Sequence, residues 1–298
     1  MSKLDELLGM TQTNEEELSK IDNGKSGASK DPNSPTEWKL KPGDQGIRPL
    51  PALDGIPFKQ LHVHWKVGKR PFLCPKKNFG EPCPVCEFGW GLWNEAGEDK
   101  KLKEKAKIFL PGQSFAALVL VRDLEEEDIA KTGLPIARIW DFNYSTWKDI
   151  SSLRNDDDYK NIESIMEGND LKVTWSEAAA KSRLQATTII ARPKKTRVLN
   201  WMDKASPYNK LITSDEEMAE MVFKILENAP ELHARYPRLS TEEVFEILQA
   251  YEEAPSENSP EITKYGGADK TKPNTGSPER DAIASKINKL FEDQDVDQ

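Results

Sequence analysis

His62-Val-His64-Trp65-Lys66-Val-Gly68-Lys69-Arg70-Pro-Phe72-Leu-Cys74-Pro75-Lys76-Lys77-Asn-Phe79-Gly80-Glu-Pro82-Cys83-Pro84-Val-Cys86 holds all three cysteines of the chain and two of its three histidines. Eight residues separate Cys74 from Cys83, and two separate Cys83 from Cys86. A turn with two intervening residues can bring two thiolates to one metal ion, each at about 2.3 Å. A third thiolate and an imidazole close a tetrahedron, the arrangement of a structural zinc site with no position left for water. The prolines at 75, 82 and 84 and Gly80 suit sharp turns between ligands. His62 and His64 are two apart, so on a strand they share a face. His64, nearer the turn at Gly68, is the favoured fourth ligand with Cys74, Cys83 and Cys86, and His62 is the alternative. A thioredoxin-type use of the CxxC would need a βαβ setting, and a zinc protease would need HExxH; neither pattern is present.

Cations and aromatic rings interleave around these ligands. Trp65, Lys66, Lys69, Arg70, Phe72, Lys76, Lys77 and Phe79 combine charges that suit phosphates with ring faces that suit bases, as in single-stranded nucleic-acid sites. Lys101, Lys103, Lys105 and Lys107 extend the basic surface in the densest lysine run of the chain, and Phe109 follows it. The blander reading makes the phenylalanines a small core around the metal and the lysines a solvated face.

The net charge is −9, yet its distribution suits a polyanion ligand. Residues 37–210 carry 29 Lys and Arg against 24 Asp and Glu, a balance of +5, and the two ends carry 13 against 27. A basic middle between acidic arms leaves the middle free to meet phosphate. No apolar run reaches membrane-spanning length, no signal peptide is apparent, and cysteines in a metal pattern point to a reducing cytosol.

In chain order, 1–36 reads as a flexible arm with a short amphipathic start at Leu4, Leu7, Leu8 and Met10. Residues 37–210 read as a core containing the zinc loop 62–86. Two short strands, Trp38-Lys-Leu-Lys and Ile47-Arg-Pro-Leu-Pro, are expected about a turn at Gly43-Asp44. Further strands are expected at 58–65, 115–122, 135–142, 170–176 and 183–192, with a helix over 144–153. The fold class expected is α+β with a mainly β core, an OB-fold-like barrel bearing an inserted zinc subdomain. Residues 211–252 read as a helical hairpin whose helices open at Ser214 with Glu217 and at Ser240 with Glu243. Residues 253–278 form a Pro/Ser/Gly/Asn/Thr-rich linker. The tail 279–298 ends on Phe291, Glu292, Asp293, Asp295 and Asp297, an acidic-hydrophobic peptide suited to partner proteins and able to compete with DNA for a basic groove.

With these features in view, the chain resembles the single-stranded DNA-binding (helix-destabilising) proteins of T-even-like bacteriophages. The resemblance lies in Glu37-Trp-Lys-Leu-Lys with Ile47-Arg-Pro-Leu-Pro, in the cluster of His62 or His64 with Cys74 and Cys83-Pro-Val-Cys86, in Phe115–Asp123, in Trp140–Leu153, and in the acidic tail. It covers roughly residues 36–195 and the tail. It implies an OB fold with one structural zinc beside the groove and a protein that is not an enzyme. It also implies cooperative coating of single-stranded DNA in replication, recombination and repair, in the cytoplasm of an infected bacterium. The tail would recruit replication proteins, and self-association along DNA would follow from cooperativity. The chain departs from the family at its start, where Met1-Ser-Lys-Leu-Asp-Glu is not basic, in a shorter histidine-to-Cys74 spacing, and in the helical pair at 214–252. A competing reading is a zinc-ribbon adaptor whose lysines meet acidic protein surfaces in replication or transcription complexes.

Overall fold

The computed structural model describes residues 38–181 and 186–253. The expected arm, linker and acidic tail lie outside them. The described residues divide into two compact units, one of 38–61 with those of 113–235, the other of 62–112 with 236–253.

The first unit is built on an open sheet of antiparallel pairings. Its strands are β1 (Gly43–Pro49), the start of β2 (Phe58–His64), β4 (Gly112–Val121), β5 (Arg138–Phe142), β6 (Gly168–Trp175) and β7 (Thr187–Thr196). They hydrogen-bond in the order β2-β4-β1-β6-β7, with β5 a further partner of β4. The run Phe115–Val121 is buried throughout, as expected for a strand covered on both faces. It pairs Val119 to Val121 with β1 and Phe115 to Val119 with β5. β6 alternates buried and half-buried residues, and β7 is largely exposed, so the apolar face of this pair points one way. Trp38, Ile47, Val119, Trp140, Leu171 and Val173 meet in the core beneath. Trp38-Lys-Leu-Lys is not a strand; the first strand instead begins at Gly43, where φ is 101°.

Among the described residues, the α-helices of this unit are α4 (Glu125–Thr132), α5 (Tyr144–Arg154), α6 (Glu177–Lys181) and α7 (Asp215–Glu227). The acidic residues Glu125 to Asp128 form the first turn of α4, where carboxylates suit the helix dipole. Asp128 of α4 receives both Arg138 terminal nitrogens, at 2.6 and 2.7 Å, in a buried pair.

A second ionic group lies deeper. Arg48, fully buried, donates to the carbonyls of Ser164 at 2.8 Å and Thr196 at 2.7 Å. Arg122 binds Asp170 at 2.7 Å and Glu125 at 2.5 Å. Burial, and then Arg122 nearby, lower the Arg48 pKa to about 10, so it stays charged at neutral pH. Gly168 is required beside it. A Cβ there would lie 2.5 Å from the Ile162 and Ser164 carbonyls and 2.7 Å from Arg48 Nη2.

The second unit takes the end of β2, β3 (Phe72–Leu73), α1 (Pro75–Phe79), α2 (Pro84–Glu95), α3 (Lys100–Phe109) and α8 (Thr241–Glu253). Its core joins Phe72, Phe88, Leu92 and Phe109 to Val244 and Leu248 of α8. Close packing of α2 on α3 needs Gly89, since a Cβ would sit 2.9 Å from Phe109 Cβ. The two helices expected to form a hairpin are therefore divided: α7 falls in the first unit and α8 in the second. The physical reason is the apolar stripe of α8, which covers the cysteine-rich core. Both helices open as expected. Ser240 and Glu243 exchange reciprocal capping bonds, while Glu217 turns back past Ser214 to accept from Thr213 N at 2.7 Å. No helix among the described residues is long and apolar enough to cross a membrane.

Candidate metal centre

Three elements deliver the four ligands. Cys74 is the N-cap of α1, where its sulfur accepts from Lys77 N, and Pro75 holds the first helical position. Cys83 is the N-cap of α2, Pro84 follows it, and Cys86 lies in the first turn. Pro75 and Pro84 thus open helices rather than forming the turns expected of them. Gly80, at φ 72°, ends α1 in the left-handed conformation and lets the chain turn toward Cys83. Helix N-termini favour thiolates, so both caps suit anionic sulfur. His64 arrives at the end of β2, in register with Phe72.

The four side chains are buried, and their ligand atoms all lie within 4.8 Å of one another. Cys74 Sγ to Cys86 Sγ is 3.4 Å, Cys83 Sγ to His64 Nε2 is 3.4 Å, and Cys86 Sγ to His64 Nε2 is 3.7 Å. Bond lengths of about 2.0–2.3 Å to a central ion give tetrahedral edges of roughly 3.6–3.8 Å. The cluster fits one metal ion held by three sulfurs and one nitrogen, and its four protein ligands fill the coordination shell.

The alternative histidine plays another part. His62 is outside the ligand group, and its main chain is what the site uses. His62 O accepts from Cys74 N at 2.8 Å and from Asn78 Nδ2 at 2.7 Å, and His62 N donates to Asn78 Oδ1 at 2.9 Å. Asn78, almost fully buried, also donates to Cys74 O at 2.9 Å. It fastens the strand carrying His64 to the cap carrying Cys74. The sequence contained no signal for this role beyond an asparagine in a short helix.

The thiols conflict electrostatically when no cation lies between them. Hydrogen bonds from Cys83 and Cys86 hold the Cys74 pKa far down. The hydrogen bond to Cys74 pushes Cys83 up to about 12, and hydrogen bonds to Cys74 and Cys83, with burial, push Cys86 up. Ionisation of Cys74 thus opposes ionisation of Cys83 and Cys86. A bound cation removes that conflict, and its binding must release protons.

The surface residues separate into two sets. Trp65, Lys66, Lys69, Arg70, Lys76, Lys77, Lys101 and Lys107 are exposed, and Lys103 and Lys105 are half-buried. Trp65, 43 % exposed, stands edge-on to Tyr236 with ring centroids 5.4 Å apart. Phe72 and Phe109 are core residues, which corrects their expected role as stacking faces. Phe72 packs on His64 at 5.0 Å, and Phe109 lies between Phe88 and Tyr251. Phe79 is half-buried, and the Arg238 guanidinium covers its ring at 4.0 Å. The same apolar character that made these rings attractive as stackers is satisfied by the core around the metal.

Trp90, which was not among the expected stacking residues, is 46 % exposed. A signal was available. Trp90 is two residues from both Phe88 and Leu92, so a helix that buries those two turns residue 90 outward.

No protein-family model matches the chain, and no curated protein matches it at a significant level.

Proposed function

We propose that this protein binds single-stranded DNA without sequence preference, coating and protecting it during phage replication, recombination and repair. The observation that carries this reading is the exposed set Trp65, Lys66, Lys69, Arg70, Lys76 and Lys77 surrounding a buried ligand cluster. Ammonium and guanidinium groups meet phosphates, the indole meets a base, and neither contact depends on sequence. The ion is zinc, the usual partner of a closed three-cysteine, one-histidine set. Its role is structural: when bound, it cross-links β2, α1 and α2 and so fixes the loops that bear the basic side chains. The sheet of the first unit is read as the OB-type element of the fold. The acidic tail recruits replication proteins, and the protein carries out no catalysis.

Binding of the full chain to a fluorescent oligo-dT across a salt series tests this reading. Tight binding that weakens steeply with salt is expected. Failure to bind at low salt would replace it with the zinc-ribbon adaptor, in which the same lysines meet an acidic protein.

A further inference from the structure

Trp90 stands where a large apolar side chain has no structural reason to be. Phe88 and Leu92, on the opposite side of α2, already fill the core. A Cβ at the neighbouring Gly91 would meet nothing within 4 Å, so the helix is open at that position. Trp93 lies next to it, with ring centroids 6.3 Å apart and planes inclined at 72°. Two cations from α3 sit over Trp93, Lys103 Nζ at 5.5 Å and Lys107 Nζ at 6.0 Å from the ring centroid.

These two indoles cannot serve one base together, because their planes are nearly perpendicular. The face of Trp93 is occupied by ammonium groups, to which an indole is the best aromatic partner. Trp90 leaves 46 % of its surface exposed. Lys107 also reaches Glu104 at 2.5 Å, but that pair is exposed and a phosphate can replace it.

We propose that Trp90 is a base-stacking residue of the metal-bearing unit, and that Trp93 is a positioning residue holding Lys103 and Lys107 for the adjoining phosphates. This rests on the single-strand reading above and adds to it a stacking face and a division of labour between the two rings.

The test uses the full zinc-loaded chain, fluorescent oligo-dT and a salt series. Trp90→Ala should weaken binding by about 5- to 150-fold, the range for loss of one stacked base, and leave the salt slope unchanged. Its metal content and melting temperature should match the parent, because the side chain lies outside the core. Trp90→Leu retains apolar bulk without a ring face and should show the same loss; it decides the matter if the alanine variant is unstable. Lys103→Ala combined with Lys107→Ala should reduce the salt slope by about 0.7 per lysine. If the parent binds and both Trp90 variants bind within twofold of it, the patch is a protein-docking surface and the proposal is overturned. An unchanged slope in the lysine variant would overturn the role given to Trp93. If the parent itself does not bind, the single-strand reading falls and this inference falls with it.

Discussion

At the scale of single residues, the centre depends on which groups can give up a proton and still be buried. Cys74, Cys83, Cys86 and His64 are all at or near zero exposure, and three adjacent thiols resist ionising together. Replacing Cys83 and Cys86 with serine should therefore abolish stoichiometric zinc and lower the melting temperature, with DNA affinity falling alongside it. Metal analysis, calorimetry and oligo-dT titration check the three effects. Unchanged zinc content and stability would contradict the assignment. His64→Ala should lose the metal, whereas His62→Ala should retain it, because His62 serves the site through its peptide group. The sequence narrowed the ligands to these five residues. It favoured His64, as the histidine nearer the turn at Gly68, and kept His62 as the alternative, because two residues on one face of a strand differ only in what lies opposite them. That choice was made by the hydrogen bond from Cys74 N to His62 O, which places the ligating cap beyond residue 62.

At the scale of elements, caps and close approaches govern stability. Asp215 begins α7 and accepts from Arg197 Nη2 at 2.9 Å and from Trp201 Nε1 at 3.2 Å. The Arg197 bond holds its carboxyl below the ordinary value of 3.8. A lowered folded pKa contributes stability that is present above the ordinary value and is lost as pH falls through the folded one. Asp215→Asn should thus cost about 0.2–1 kcal/mol at pH 7, and the difference should vanish at pH values below the folded pKa. Urea denaturation at both ends of the range would show it; a pH-independent difference would refute the ionic explanation. At Gly168 the constraint is space. Gly168→Ala should destabilise by roughly 1–3 kcal/mol, because two backbone carbonyls and the buried Arg48 would have to shift. The elements themselves were largely legible from pattern: the apolar run at 115–121, the paired strands β6 and β7, helix 144–154, and the capping residues Ser214 and Ser240. Trp38-Lys-Leu-Lys alternates as a strand does, yet the bond from Trp38 N to the distant Ile139 O and the bond from Lys41 N to the nearby Gln45 Oε1 do not make it one.

For the molecule as a whole, charge distribution is the property to test. The middle of the chain is net basic and the ends are strongly acidic. A chain ending near residue 278 should bind oligo-dT more tightly than the full chain at low salt, and the two should converge as salt screens the tail. Equal affinity at every salt concentration would remove the tail from competition for the basic surface.

The sequence by itself determined that three cysteines and a histidine form a cluster able to hold a metal ion, that an apolar strand at 115–122 organises a β-rich core, and that cations gather beside that cluster. These are consequences of local spacing and periodicity, which act over a few residues. Only the tertiary structure decided that Phe72 and Phe109 are core while Trp90 is surface, that α7 and α8 belong to different units, and that Asn78 and Gly168 are indispensable where they stand. Each of those outcomes depends on which distant segment covers which face. An aromatic ring or an amphipathic helix has the same local pattern whether it packs inward or awaits a ligand.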